Sequence, residues 1–480
     1  MAIRVMQTDL RVLPMQTRMP FRYGIATLTA LPHLFVRIDV EIDGAHWSGI
    51  AADGLAPKWF TKNLASTTDH DIAEMVHVVQ TACAFARSSS TAATVFDLWR
   101  EVSAAQEVWG ASRGYPPLLW AFGVSLVERA LIDAFCQSRR TTFATAARDN
   151  TFGMRLGTLH SELDGLQPVD LLPTRPRTTI TVRHTVGLTD PLVDDEIAPE
   201  DRVDDGLPQS LVACIRAYGL THFKIKLSGD ADRDNARLRR IVDVLTAETP
   251  VYAVTLDGNE QFFDVGSFRE WWQFLLRDQR LAPLMRRLRF VEQPLHRDIA
   301  LSAATAQQLL DWPDRPAMII DESDGAIESV ATALARGYAG ASHKNCKGVF
   351  KGIANACLIA RRQQQEPSRR YILSGEDLAN VGPVALLQDL AVMATLGIDH
   401  VERNGHHYFA GLSMFPRDVQ ECVLVEHGDL YRRHPRGFPT LDIRGGTVHI
   451  GRVVTAPFGL GFAFDTSRYM TVTESGIETL

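Results

Sequence analysis

Between residues 178 and 403 the chain repeats one pattern: a short apolar segment with polar residues at or near its C-terminal end, then a longer stretch with apolar residues at helical spacing. The apolar segments are 179–186, 222–227, 252–256, 288–292, 317–321, 340–344, 371–374 and 400–402. Stretches such as 232–246 and 349–363 read as the intervening helices. Parallel neighbouring strands must be joined by a crossover of a dozen or more residues, and spacings of roughly 20 to 40 residues supply one each time. Eight such strands, each but the last followed by a helix, over about 240 residues have the dimensions of a TIM barrel.

The flanks differ. Ile3-Arg4-Val5 and 33–42 alternate like strands, with Leu34, Val36, Ile38 and Val40 on one face and a turn at Asp43-Gly44. Helical patterns follow at 69–87, 92–105 and 117–136, which makes the first 140 residues an α+β unit. Residues 141–177 and those after about 415 are additions to the barrel, and Pro457–Phe462 is turn-rich.

In a TIM barrel the chemistry lies at the C-terminal strand ends. The second strand carries Lys224 and Lys226, which share a face because they are two residues apart. Two ammonium groups in a dry mouth depress each other's pKa, moving a lysine from about 10.4 toward the ~7–8 where it can act as a base. A lone Lys-x-Lys is more often a pair of rim lysines matched with carboxylates. Composition weighs against that here: only seven of the 50 basic residues are lysines, and five of those fall between 224 and 351. A coding bias explains the scarcity, but arginine cannot be deprotonated, so the remaining lysines mark positions where a releasable proton is needed.

The next three strands end in acids, Asp257, Glu292 and Asp321-Glu322. One acid at a strand end is usually a helix cap or ion-pair partner. Three on consecutive strands should converge and repel unless a cation joins them, and an all-oxygen set suits Mg²⁺. The sixth strand brings Lys344 from the opposite side, so two lysines flank the predicted metal, while Lys347 and Lys351 are expected at a solvated helix end.

These pieces together resemble the enolase superfamily, and within it the muconate-lactonizing-enzyme-like branch of the mandelate racemase/muconate lactonizing enzyme family. The matching motifs are Lys224-Ile225-Lys226, Asp257-Gly258-Asn259, Glu292-Gln293-Pro294, Asp321-Glu322-Ser323 and Lys344 to Gly348, in order and in register. The resemblance implies an N-terminal α+β capping domain with specificity loops (1–140), a connecting insertion (141–177), a modified (β/α)7β barrel (178–415) and a C-terminal extension returning to the cap (416–480). It further implies that Asp257, Glu292 and Asp321 bind Mg²⁺, with Mn²⁺ a possible substitute, and that Lys226 and Lys344 are the general acid/base pair. Lys224 and Asn259 would support the substrate or metal. Glu376 in Leu-Ser-Gly-Glu-Asp-Leu, His407 beside Glu402 and His406, and Arg22 and Tyr23 with Lys58 and Trp59 in the cap loops are the candidate substrate contacts.

The implied chemistry is abstraction of the α-proton of a small-molecule carboxylate through an enediolate, giving racemisation, epimerisation or cycloisomerisation, or else β-elimination. Two departures stand out. Gly348-Val349 replaces the glycine pair usual after the sixth-strand lysine, and no histidine ends the seventh strand, which argues against a sugar-acid dehydratase. A Schiff-base aldolase or a non-catalytic relative remain as readings of another kind.

Other partners are limited by composition. A net charge of −7 and pI near 6.1 give no basic field for nucleic acid. The most apolar stretch, 118–127, is too short to span a membrane. The amino terminus carries no signal-like run, and six cysteines without a CxxC pair read as reduced thiols of a cytoplasmic protein. Homo-oligomerisation is expected from the resemblance.

Overall fold

The computed structural model describes residues 1–23, 25–473 and 476–477. Five antiparallel strands open the chain: β1 (Ile3–Leu13), β2 (Gln16–Tyr23), β3 (Ala26–Ala30), β4 (His33–Ile42) and β5 (Ala45–Gly54). The alternation read in β4 is realised: Leu34, Val36, Ile38 and Val40 are buried while Arg37 is exposed. Helices α1 (Thr68–Ser88), α2 (Val95–Ser112) and α3 (Pro117–Arg139) pack behind this sheet. Proline at the first turn of α3 lacks the N–H that would go unused there, and Arg140 in the left-handed region ends the helix.

Eight parallel strands follow: β6 (Thr179–Val186), β7 (His222–Lys226), β8 (Ala253–Asp257), β9 (Leu288–Glu292), β10 (Met318–Ile320), β11 (Gly340–His343), β12 (Ile372–Gly375) and β13 (His400–Arg403). They pair in sequence order, and β13 pairs with β6 to close the barrel. The eight strand positions match those read from the sequence. Beyond the eighth strand the chain again turns helical, at Gly405–Tyr408 and Arg417–Glu426. The tail adds a hairpin, β14 (Tyr431–Arg433) and β15 (Pro439–Leu441), then β16 (Thr447–His449), which lies antiparallel beside the first residues of β6.

The C-terminal segment does return to the first sheet. Pro457 accepts a hydrogen bond from Phe143 N at 2.7 Å. The strand β17 (Met470–Thr473) pairs with β1, and β18 (Gly476–Ile477) with β17. Tyr469 anchors this return by stacking on Phe35 at 4.9 Å between ring centroids.

One contact welds the helical layer to the barrel mouth. Glu128 of α3 accepts hydrogen bonds from Val349 N (3.0 Å) and Phe350 N (2.6 Å), buried donors that have no intrahelical partner at the start of the helix Val349–Gln365. Gly348, at φ +105°, makes the turn into that helix, a conformation a side chain would resist. The non-glycine at 349 is buried and spent on this joint.

Candidate active site

Asp257, Glu292 and Asp321 stand at the ends of β8, β9 and β10, each 1% exposed or less. The chain bends sharply just past two of these ends: Asn259, Glu260 and Gln293 all have positive φ. Such strain persists where the surrounding structure fixes it, commonly at functional sites. Gln293 is pinned by its side chain, which accepts from Asp321 N at 2.8 Å.

Lys224, 1% exposed, points inward from β7 into a ring of acids. Its Nζ lies 2.7 Å from Glu376 Oε2, 2.9 Å from Glu292 Oε1, and 3.0 Å from both Glu402 Oε2 and Asp257 Oδ2. Arg183 of β6 binds Glu376, and Thr185 donates to Glu402 Oε1 at 2.6 Å. Lys226, two residues along, reaches Asp257 Oδ2 at 2.6 Å. Lys344, immediately after β11, reaches Asp321 Oδ2 at 2.6 Å, and Ser342 Oγ donates to Asp321 Oδ1 at 2.5 Å.

The electrostatics correct one expectation. Burial would lower the Lys224 pKa, but Asp257, Glu292, Glu376 and Glu402 hold it well above its ordinary value. Lys344 is likewise raised against its burial by Asp321. The repulsion between neighbouring lysines is outweighed by the acids. In return, Asp321 is held well below the usual carboxylate range by Lys344, Lys347 and Lys224 despite its burial. Glu292, buried and facing Glu376, is raised well above that range.

A second correction concerns Lys347 and Lys351. Neither is solvated: they are 3% and 5% exposed, with Lys347 Nζ 2.8 Å from Asp321 Oδ1 and Lys351 Nζ 3.0 Å from Asp324 Oδ1. Lys347 ends the short turn Asn345–Lys347 and Lys351 lies in the first turn of the helix Val349–Gln365, which starts inside the joint with α3.

The fit of this site to a divalent cation rests on its donors. The three acids are oxygen ligands of the type Mg²⁺ takes. Beside them, Asn259 Oδ1 and Glu322 Oε2 are buried oxygens without a hydrogen-bond partner among the described residues. Asn259 Nδ2 bonds Glu322 Oε1 at 3.2 Å, and its backbone N bonds Asp257 Oδ1 at 2.9 Å. Glu322 is pushed up to about 7, first by burial and then by Asp321, Glu260 and Asp257. Two partnerless buried oxygens beside three converging acids make a donor set that suits a cation.

Above the acids is a cavity of about 30 Å³, room for a water molecule or two. It is lined by Lys226, Lys344, Asn259 and Glu402 below, and by Phe21, Leu28 and Trp59 of the N-terminal elements together with Leu378 and Ala379 above. Lys344 Nζ sits 4.3 Å from the centre of the Trp59 ring. The segment carrying Trp59 is latched to the barrel. Arg297 donates to Trp59 O (3.0 Å) and Phe60 O (2.9 Å) and forms a forked pair with Glu260, which Lys62 also reaches at 2.7 Å.

Not every candidate meets here. Arg22 is exposed and lines a surface groove with Arg202 and Arg237, because alternation along β2 turns Phe21 toward the cavity and Arg22 away from it. The side chain of Tyr23 lies outside the described residues. Lys58 caps its own loop, donating to Ser66 O and pairing with Asp71 at 2.9 Å. Glu376 is wholly buried among Arg183, Lys224 and Ser374 and does not line the cavity. His407 sits behind the barrel wall, against Cys214. The sequence reading passed over Phe21, Leu378, Asn404 and the Glu260–Arg297 latch, and named Glu322 without giving it a role. Glu322 was already visible as the second acid of its motif, and Phe21 follows from the period of β2.

No protein-family model matches the sequence, and no curated protein matches it. By structure the chain is similar to muconate lactonizing enzyme from Pseudomonas fluorescens complexed with muconolactone, at 16% identity over 98% of both chains and TM-score 0.58. It is also similar to N-succinyl Arg/Lys racemase from Bacillus cereus, at 13% identity over 94% of this chain and 97% of that one, TM-score 0.55. A third likeness is to dipeptide epimerase from Enterococcus faecalis complexed with Mg and L-Leu-L-Tyr, at 14% identity over 85% and 92%, TM-score 0.54. The fold is therefore that of these capped barrels.

Proposed function

We propose that the chain is an enzyme of the mandelate racemase/muconate lactonizing enzyme family that moves the α-proton of a carboxylate substrate, with racemisation or epimerisation favoured over cycloisomerisation. The observation that carries this reading is the pair of lysines, Lys226 from β7 and Lys344 after β11, facing one cavity from two sides. An elimination from one face needs a single base plus a cation; inversion of a carbon needs a proton carrier on each side.

Asp257, Glu292 and Asp321 are the residues that would hold Mg²⁺. When bound, the ion supplies positive charge beside the substrate carboxylate, where negative charge grows as the α-proton leaves. The protein's own groups do the rest. Lys344, hydrogen-bonded to Asp321 Oδ2, is the proton donor in the direction in which Lys226 is the acceptor, and the reverse direction exchanges their roles. Lys224, fixed by four carboxylates, adds a permanent cation beside Asp257. Trp59 holds the Lys344 ammonium over its ring and, with Phe21, Leu28 and Leu378, keeps water from the reacting carbon. These walls are apolar, which favours a substrate with an apolar group next to the acidic carbon.

The test is incubation in D₂O with acyl-amino acids, dipeptides, lactones and hydroxy acids, following α-hydrogen exchange by NMR. Exchange that stops on chelation and resumes with Mg²⁺ is expected for at least one class. A borohydride-trapped adduct with a carbonyl substrate would instead favour Schiff-base chemistry.

A further inference from the structure

Behind the barrel wall, beside the seam where β13 meets β6, His184, Cys214 and His407 come together. One ligand atom from each lies within 4.8 Å of the others, and all three side chains are buried. Arg183 and Thr185 reach inward to Glu376 and Glu402, so His184 between them faces outward. Cys214 comes from the helix Leu211–Tyr218 and His407 from the helix Gly405–Tyr408.

We propose that these three residues bind a zinc-type divalent ion, at a site separate from the barrel mouth, that fastens the barrel seam. Zinc with bonds of ~2.0 Å to nitrogen and ~2.3 Å to sulfur sets its tetrahedral ligands about 3.3–3.6 Å apart. Cys214 Sγ and His407 Nδ1 are already 3.5 Å apart. The remaining separations close with side-chain shifts of at most ~1.5 Å, judged against that same tetrahedral spacing. Two imidazoles and a thiolate make a borderline-soft set that selects Zn²⁺ over Mg²⁺, and a water completes the fourth position.

The outer groups fit as well. Histidine ligands are usually oriented through their second nitrogen. Asp190 Oδ2 stands 4.0 Å from His407 Nε2 and is itself fixed by Tyr408 Oη (2.8 Å) and Gly187 N (2.7 Å). His406 Nε2 meets His184 Nδ1 at 3.1 Å, while His406 Nδ1 is buried without a partner among the described residues. The ion would also steady the catalytic cavity. His407 O accepts from Arg18 at 3.0 Å, and Tyr408 stacks on Phe21 at 4.1 Å, so both anchor the hairpin that forms one cavity wall.

The test uses the full chain, reduced and stripped by chelation, titrated with Co²⁺ in excess Mg²⁺. The account expects a thiolate-to-cobalt charge-transfer band saturating at one equivalent, displaced by Zn²⁺. Cys214→Ala should abolish it, and His184→Gln, which keeps the thiol, should weaken binding by tenfold or more. Absence of the band in the unaltered chain, or its survival in Cys214→Ala, overturns the proposal. Should Cys214→Ala fail to fold, undiminished affinity in His184→Gln overturns it equally. None of these readings depends on turnover.

Discussion

At the scale of single residues, charge type and position decide. Lys226 and Lys344 could be replaced by arginine without loss of charge, yet arginine cannot release a proton. A separate residue-scale prediction concerns Asp133 of α3, whose Oδ2 accepts from Ile50 N and Gln137 Nε2, both at 2.9 Å. Burial pushes its pKa up to about 7. The folded chain therefore holds that proton more tightly than the unfolded chain, so stability falls as pH rises from about 4 to about 7, by up to ~4 kcal/mol. Asp133→Asn keeps the accepting oxygen and removes the charge. Urea midpoints at pH 5 and pH 8 should then lie closer together than in the unaltered chain; an unchanged gap would assign the effect to other groups.

At the scale of elements, the barrel strands were legible because most are short apolar runs with a polar residue at or just past the C-terminal end, and the acids proposed to bind the metal are among those residues. Glu292 and Asp321 could be placed at neighbouring strand ends from their spacing alone. The hairpin β2–β3 was not legible. Pro20 interrupts β2 and its polar residues hide the alternation, so the segment read as loop and Arg22 was favoured over Phe21. Lys347 and Lys351 misled because α3, more than 200 residues earlier in sequence, packs on the helix start beside them, and Asp321 and Asp324 take up their ammonium groups. His184, Cys214 and His407 carry no spacing motif; only barrel closure brings them together.

Two predictions belong at this scale. Glu260→Gln leaves Arg297 and Lys62 without their shared anion and loosens the segment carrying Trp59. KM should rise roughly tenfold, the equivalent of ~1.4 kcal/mol, with a smaller change in kcat; an unchanged KM would mean the latch does not govern binding. Tyr469→Ala removes the ring that holds the C-terminal return against Phe35 and Phe464. Denaturant unfolding should record a loss of about 3 kcal/mol, and a loss below ~0.5 kcal/mol would show that β17 contributes little.

At the scale of the whole molecule, two layers meet over one small cavity. The barrel supplies acids and lysines at its strand ends, while the N-terminal elements supply Phe21, Leu28 and Trp59 as a dry cover. No helix among the described residues is long and apolar enough to cross a membrane. Glu128 and the Arg297 latch tie cover to barrel at separate points, so the cavity's shape depends on both.

The central claim is that two lysines serve opposite faces of one carbon. It is tested most directly by following α-hydrogen exchange in D₂O separately for each enantiomer of a substrate, in Lys226→Arg and in Lys344→Arg. Each variant should lose exchange of one enantiomer by about a thousandfold, within the range of ~10²–10⁴ expected for general acid–base groups, and keep appreciable exchange of the other. Equal loss for both enantiomers in both variants, or full exchange in either, would contradict it.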